Sequence, residues 1–257
     1  MTQVFLTSKN STKLNGSYNS RLQFRLENIN FEPYDDIYLS LINAIIPISS
    51  YLINENNNKI IVLNSFGVET TYTIQTGNYN ISELIDRIKL NAPIFINIVF
   101  DTIKNKFTLT SADYYNILSK STILNILGFS NKDHFPTIQK THTSDYVCDL
   151  SGNNMFYLQI DEINTNNVLI DKKNSVIASM PIDVNYGDLF TYTNTSIKSR
   201  IYESSLTILT VNLLDEEFNL VNLNNKDWNF TLYFESYFNQ QKFNNHVFLS
   251  NYLNGKE

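Results

Sequence analysis

The sequence predicts an all-β protein, and three observations carry that prediction. Tyr and Phe are abundant, at 16 and 17 of 257 residues, while Gly stands at 7 and Ala is scarce. Aromatic and β-branched residues suit a pleated, half-buried surface, and an Ala-poor chain argues against a helical bundle. Most apolar runs alternate with period two and end at Asn, Asp, Ser or Gly. The period changes to 3.6 only in short stretches in the first half of the chain, so helices belong to an insertion and not to the framework. A chain of this length can bury a full core, as one large domain with an insertion or as two modest ones.

Strands are expected first at Gln3 to Ser8, Arg21 to Glu27 and Ile37 to Ile46. In RLQFRLE the apolar Leu22, Phe24 and Leu26 face one way, while Arg21, Gln23, Arg25 and Glu27 face the other, the mark of a half-buried strand. After the polar loop NENNN, Lys59 to Asn64 and Val68 to Gln75 form a hairpin across Ser65-Phe66-Gly67. GNYNISELIDRI then opens a helix. Ile81, Leu84, Ile85 and Ile88 make one apolar stripe, Glu83 and Arg87 are spaced for an i,i+4 pair, and Asn80 with Glu83 forms a capping box. Pro93 stops this helix after Asn91, and Gly77 lets the chain turn into the cap. A second hairpin, Phe95 to Asp101 and Lys106 to Ser111, precedes a short helix in SKSTILNILGF. Its cap is Ser119 or Ser121, and Gly128 closes its last turn.

Residues 58–129 therefore read as an inserted ββαββα (α+β) subdomain with its own small core, and 130–153 as a polar return connection. Strands resume at Met155 to Asp161, Ser175 to Ile182, Asp188 to Thr193, Leu206 to Leu214 and Asp227 to Glu235. Eight antiparallel strands with an insertion after the third fit a single jelly roll, formed by residues 1–57 and 130–257. The segment from Tyr237 to Glu257 carries too many large apolar residues for a solvated tail and is expected to dock.

Composition narrows the function. The formal charge is −6 with 19 Lys plus Arg spread thinly, which argues against a nucleic-acid or anionic-lipid footprint and for a protein partner. Cys148 excludes an internal disulfide, and MTQVFLTSKN lacks the basic start and apolar core of a secretory signal, so a reducing, intracellular compartment is expected. The longest apolar run, Leu39 to Ile48, is interrupted and too short to span a bilayer. Asparagine supplies roughly one residue in seven, above ordinary usage, as an AT-rich genome would produce without structural cause.

No catalytic motif appears, and no cofactor or metal is expected. A phosphate loop at Gly77 would need further glycines or a Lys-Ser/Thr step, which TGNYNIS lacks. His134, His142 and His246 lack zinc spacing and read as surface-loop residues. The acidic groups Asp35-Asp36 and Asp215-Glu216-Glu217 sit at strand ends, where turns collect carboxylates. The sequons at Asn10, Asn80, Asn194 and Asn229 are accounted for by chance in an Asn-rich chain. Trp228, Phe230 and Leu232 alternate with Asn229, Thr231 and Tyr233 and read as a core face, although an aromatic sugar-binding face is the competing reading.

Several segments, taken in order, carry a resemblance. IYLSLINAIIPISSYLINENNNKIIV, TGNYNISELIDRI, STILNILGF, SVIASMPIDVNYGDLFTY and LTILTVNLLDEEFNLVNLNNKDWNFTLYF together resemble minor capsid and penton proteins of virophages and polinton-like viruses. The matching positions are Ile46-Pro47, Asn56 to Asn58, Gly77-Asn78-Tyr79, Leu127-Gly128-Phe129, Met180-Pro181-Ile182, Asp215 and Asp227-Trp228. The resemblance implies a penton that forms homopentamers at icosahedral five-fold vertices and contacts a double-jelly-roll major capsid protein. It implies a virion component assembled in the host cytoplasm, without enzymatic activity. The alternative is a carbohydrate-binding or host-attachment β-sandwich module with a glycan or receptor as ligand. Interface candidates are Phe5 in the first strand and Phe238, Phe243 and Phe248 in the tail, because isolated apolar residues gain most by burial against a partner.

Overall fold

The computed structural model describes residues 2–14, 19–32, 34–163, 176–194, 198–202 and 205–254. The chain lays down β1 (Thr2–Thr7), β2 (Thr12–Lys13), β3 (Arg21–Asn30) and β4 (Asp35–Pro47). It then builds a second unit from β5 (Lys59–Asn64), β6 (Glu69–Thr73), α1 (Ile81–Asn91), β7 (Phe95–Asp101), β8 (Lys106–Ser111), β9 (Tyr115–Ile117), α2 (Leu124–Leu127) and β10 (Thr141–Thr143). It returns with β11 (Met155–Ile160), β12 (Val176–Pro181), β13 (Leu189–Thr193), β14 (Ser199–Ile201), β15 (Ser205–Leu214), β16 (Asn229–Phe238) and α3 (Gln240–Asn254). Two compact units result, residues 1–50 with 153–257, and residues 51–152.

The first unit is an antiparallel, jelly-roll-like sandwich. One sheet runs β1-β16-β4-β13, with β14 also on β4, and the other runs β12-β11-β15-β3-β2. Among the described residues the two sheets hold ten strands, the expected eight with the short β2 and β14 added, and the chain changes sheet after β1, β3, β12, β14 and β15, and across the insertion between β4 and β11. β1 lies beside β16, from the opposite end of the sequence. Both inner faces close on one core, with Leu39, Leu41, Phe230, Leu232 and Phe234 from the first sheet and Leu22, Phe24, Phe156, Leu158, Val211 and Leu213 from the second. The alternation in β4 changes phase, with Leu39 and Leu41 buried and then Ala44 and Ile46. The β16 pairing slips between Thr231 and Leu232, where Asn43 faces Thr231 and Leu41 faces Leu232. A bulge of this kind adds one residue and returns the strand's apolar side to the core. Trp228 is fully buried, stacked on Phe230 at 4.7 Å, and its Nε1–H donates to the Asn19 carbonyl at 2.6 Å. Ser175, the expected start of a strand, lies outside the described residues.

The inserted unit is wider than the expected 58–129. Its near border is set by the mutual backbone bonds of Ile53 and Gly77, and its far border by Tyr146 N–H to the Gly128 carbonyl and Cys148 N–H to the Asn105 carbonyl. Residues 130–153 are therefore not a return connection; they carry β10, which pairs with β8. The two hairpins form as expected, and each gains a third strand, giving sheets β6-β5-β9 and β10-β8-β7. Both sheets and α1 close on Val62, Ile74, Leu84, Ile88, Phe95, Phe107, Leu109 and Phe129.

In α1 the capping box forms, with the Glu83 N–H donating to Asn80 Oδ1 at 3.0 Å and the Asn80 N–H donating to Glu83 Oε2 at 2.9 Å. That carboxylate faces the cap rather than Arg87. Gly77 has a different reason from the expected turn: a Cβ there would come within 3.0 Å of the Tyr79 ring, which folds back so that its hydroxyl donates to the Gln75 carbonyl at 2.8 Å. Neither Ser119 nor Ser121 caps α2, which is only four residues long. The Ser121 hydroxyl instead pairs with the Ile61 backbone on β5. Gly128 does close α2, at φ +79, where a side chain would strike the Tyr146 carbonyl.

Candidate functional site

The four aromatic residues singled out in the sequence are solvent-facing. Phe5 is 75% exposed on β1, an edge strand, because Val4 and Leu6 turn toward the core. Phe238 ends β16 at 60% exposure, and Phe243 and Phe248 lie on α3 at 36% and 70%. Phe238 and Phe243 are brought together, with ring centroids 5.6 Å apart. Phe243 also meets Tyr34 edge-on at 5.3 Å. Val247 and Leu249 add further exposed apolar surface to the same helix.

The tail docks as a helix, and polar residues hold it. Asn239 caps α3, its Oδ1 accepting from the Gln241 and Lys242 N–H groups at 3.0 and 3.1 Å. The Asn239 N–H donates to the Tyr34 carbonyl at 2.9 Å, and its side-chain amide donates to Asp36 Oδ2 at 2.9 Å. The Lys242 ammonium lies 2.9 Å from Asp36 Oδ1 and also donates to the Asp35 carbonyl. Arg200 completes the cluster at 2.5 Å. Lys242, Asn239 and Arg200 hold the Asp36 carboxyl down to about 2, against a smaller opposing effect of burial. A carboxylate with three partners of this kind is a clamp, unavailable for proton transfer.

Beside the clamp lies a cavity of about 470 Å³ lined by Asp36, Tyr38, Lys198, Tyr237, Phe238 and Asn239. Its charges are engaged: Lys198 pairs with Glu235, sits 5.6 Å from the Tyr237 ring centroid, and has its pKa raised, first by Glu235 and then by Tyr237. The second acidic cluster is equally structural. Asp215 Oδ1 accepts from the Glu217 and Asn219 N–H groups at 3.0 and 2.8 Å, shaping the turn after β15.

His134 and His142 are not surface-loop residues, since they are 8% and 3% exposed. The His134 ring packs edge-on against Phe129 at 5.0 Å, and β10 carries the His142 ring inward. The side chain of His246 lies outside the described residues. Among the described residues no three His, Cys, Asp or Glu side chains are grouped to hold a metal, and no helix is long and apolar enough to cross a membrane. Trp228, buried in the core, does not line a sugar-binding face. Cys148 is half-buried, and burial, with a smaller effect from Asp149, raises its thiol pKa.

From the sequence, Asp36 is marked only as one of the acidic groups at a strand end, and Asn239 and Tyr34 are not singled out. Asn at the head of QQKF is a capping signal that marks Asn239. Its partners, more than two hundred positions upstream, leave no local trace.

No protein-family model matches the chain, and no curated protein matches it. Among solved structures it is similar to the mavirus penton protein at 11% identity and a TM-score of 0.47, over 91% of this chain and 99% of that one. A chain of the Sputnik virophage structure is similar at 12% identity and a TM-score of 0.39, over 90% and 97%. A chain of the VP16–VP17 complex of bacteriophage P23-77, described as the two major capsid proteins, aligns at 7% identity and a TM-score of 0.19, over 92% and 99%.

Proposed function

We propose that the chain is a structural capsid protein, a penton built as a single jelly roll with an inserted α+β subdomain. In this reading it forms homopentamers at five-fold vertices, contacts a double-jelly-roll major capsid protein, and resides in the virion after assembly in the host cytoplasm. The order of the sequence motifs supports it, as does a sandwich topology suited to side-by-side packing. The observation that carries it is the exposed aromatic set: Phe5 on an edge strand, and Phe238, Phe243 and Phe248 at a clamped helix. Apolar side chains left in water beside charges that are already paired gain by contact with another polypeptide rather than by acting on a small molecule.

The test is the mass of the purified full chain with and without the major capsid protein, for wild type, Phe5→Asp and Phe248→Asp. Wild type is expected to form five-copy rings, at least when the shell protein is present. Each substitution is expected to weaken ring formation about 10-fold or more, while stability changes by less than about 0.5 kcal/mol, as for most surface substitutions. Rings unaffected by both substitutions, or a particle reconstruction with the chain away from the vertex, would remove the reading.

A further inference from the structure

We propose that β10 and its flanks form an acid-released flap in the inserted unit, with His142 as the proton-sensing residue. β10 is three residues long and forms the edge of sheet β10-β8-β7, opposite Leu109 of β8. At its centre His142 is 3% exposed, and neither Nδ1 nor Nε2 has a hydrogen-bond partner of good geometry. A buried imidazole without partners is tolerated while neutral and becomes costly once charged.

The charged and titratable groups around it do not favour the charged form. His134, bridged through its backbone to Ile117, opposes a charge on His142, and the Tyr115 backbone offers the one favourable contact. His134 itself lies 3.7 Å from Asp145 Oδ2. Asp145 also takes Lys132 and the Ser130 hydroxyl and N–H, while Asp133 accepts from the Ser119 N–H. On the exposed side, Lys140 is directed to the Ala112 carbonyl, Asp113 and the Tyr114 ring. None of these supplies a carboxylate to His142.

Burial depresses the His142 pKa from 6.5 to about 4. A group whose folded pKa lies below its unfolded value stabilises the closed form fully above the unfolded pKa. That stabilisation is lost as pH falls from about 6.5 through about 4. Opening lets His142 charge in water, and releases the bonds from Ser111 N–H to the Lys140 carbonyl and from Ser144 N–H to the Phe107 carbonyl. Asp145, held at about 2 mainly by Ser130, responds only at more acidic pH, so the two effects separate.

The experiment is amide hydrogen exchange on the full chain between pH 7.5 and 4, corrected for intrinsic exchange, with His142→Leu alongside wild type. Protection across 137–148 and 106–111 is expected to fall roughly 100-fold in wild type, the factor set by the shift, while α1 and the sandwich strands keep theirs. His142→Leu is expected to keep flap protection flat over this range. Should that variant misfold, the His142 ring resonance of wild type decides: it is expected to stay neutral below pH 5. Constant flap protection in wild type, an equal loss in the variant, or a ring titrating near 6.5 would overturn the proposal.

Discussion

Asn80 and Glu83 bond reciprocally at the head of α1, and both exposed N–H groups they satisfy would otherwise face the end of a helix that is buried on one side. Asn80→Ala is expected to destabilise the inserted unit by about 1 kcal/mol in chemical denaturation. Gly128 is a harsher case. At φ +79, with the Val147 carbonyl oxygen 2.7 Å from where a Cβ would stand, Gly128→Ala combines backbone strain with a clash. Gly67, at φ +75 in open space, has the strain alone, so Gly128→Ala is expected to lower the melting midpoint more than Gly67→Ala does. The capping box was legible because both partners lie within four positions and the motif is local. Ser121 looked like another cap. Its hydroxyl is taken by Ile61 sixty positions away, a partner that no local pattern announces.

Among the elements, α3 shows what clamps a tail. Asp36 contributes stability above its unfolded pKa of 3.8, and this is lost as pH falls through about 2. Circular dichroism is therefore expected to show α3 loosening between pH 4 and 2. Asp36→Asn is expected to loosen it already at pH 7, because Lys242 and Arg200 lose their carboxylate. This helix was hidden in the sequence: Asn, His, Val and aromatic residues in QQKFNNHVFLSNYLN have weak helix propensity, so the segment read only as an apolar tail that docks. β10 was missed for another reason. Three residues cannot display a period, and His142 gives no hint of burial until Leu109 stands opposite. Among the longer strands of the sandwich, β3 was readable because it repeats an inward and outward pattern over several residues, as Leu22, Phe24 and Leu26 show.

For the whole molecule, each unit closes its own core, and the chain is expected to unfold as two cooperative systems. Trp228 is the sole tryptophan and sits in the sandwich core, whereas Ile88 sits in the core of the inserted unit. Ile88→Ala is expected to cost about 2–5 kcal/mol in the inserted unit. It is also expected to shift one calorimetric transition while leaving the Trp228 fluorescence midpoint in place. A single transition that moves as a whole would show the units to be coupled.

The pairing of β1 with β16 also bears on the order in which the protein is made. Thr2 faces Phe234 and Thr7 faces Asn229, so β1 is synthesised more than two hundred residues before the strand it pairs with. Such non-local closure is slow. Residues 51–152, whose contacts close within the insertion, become foldable far earlier. A nascent chain arrested before β16 would thus hold a finished inserted unit while β1 still lacks its pairing strand.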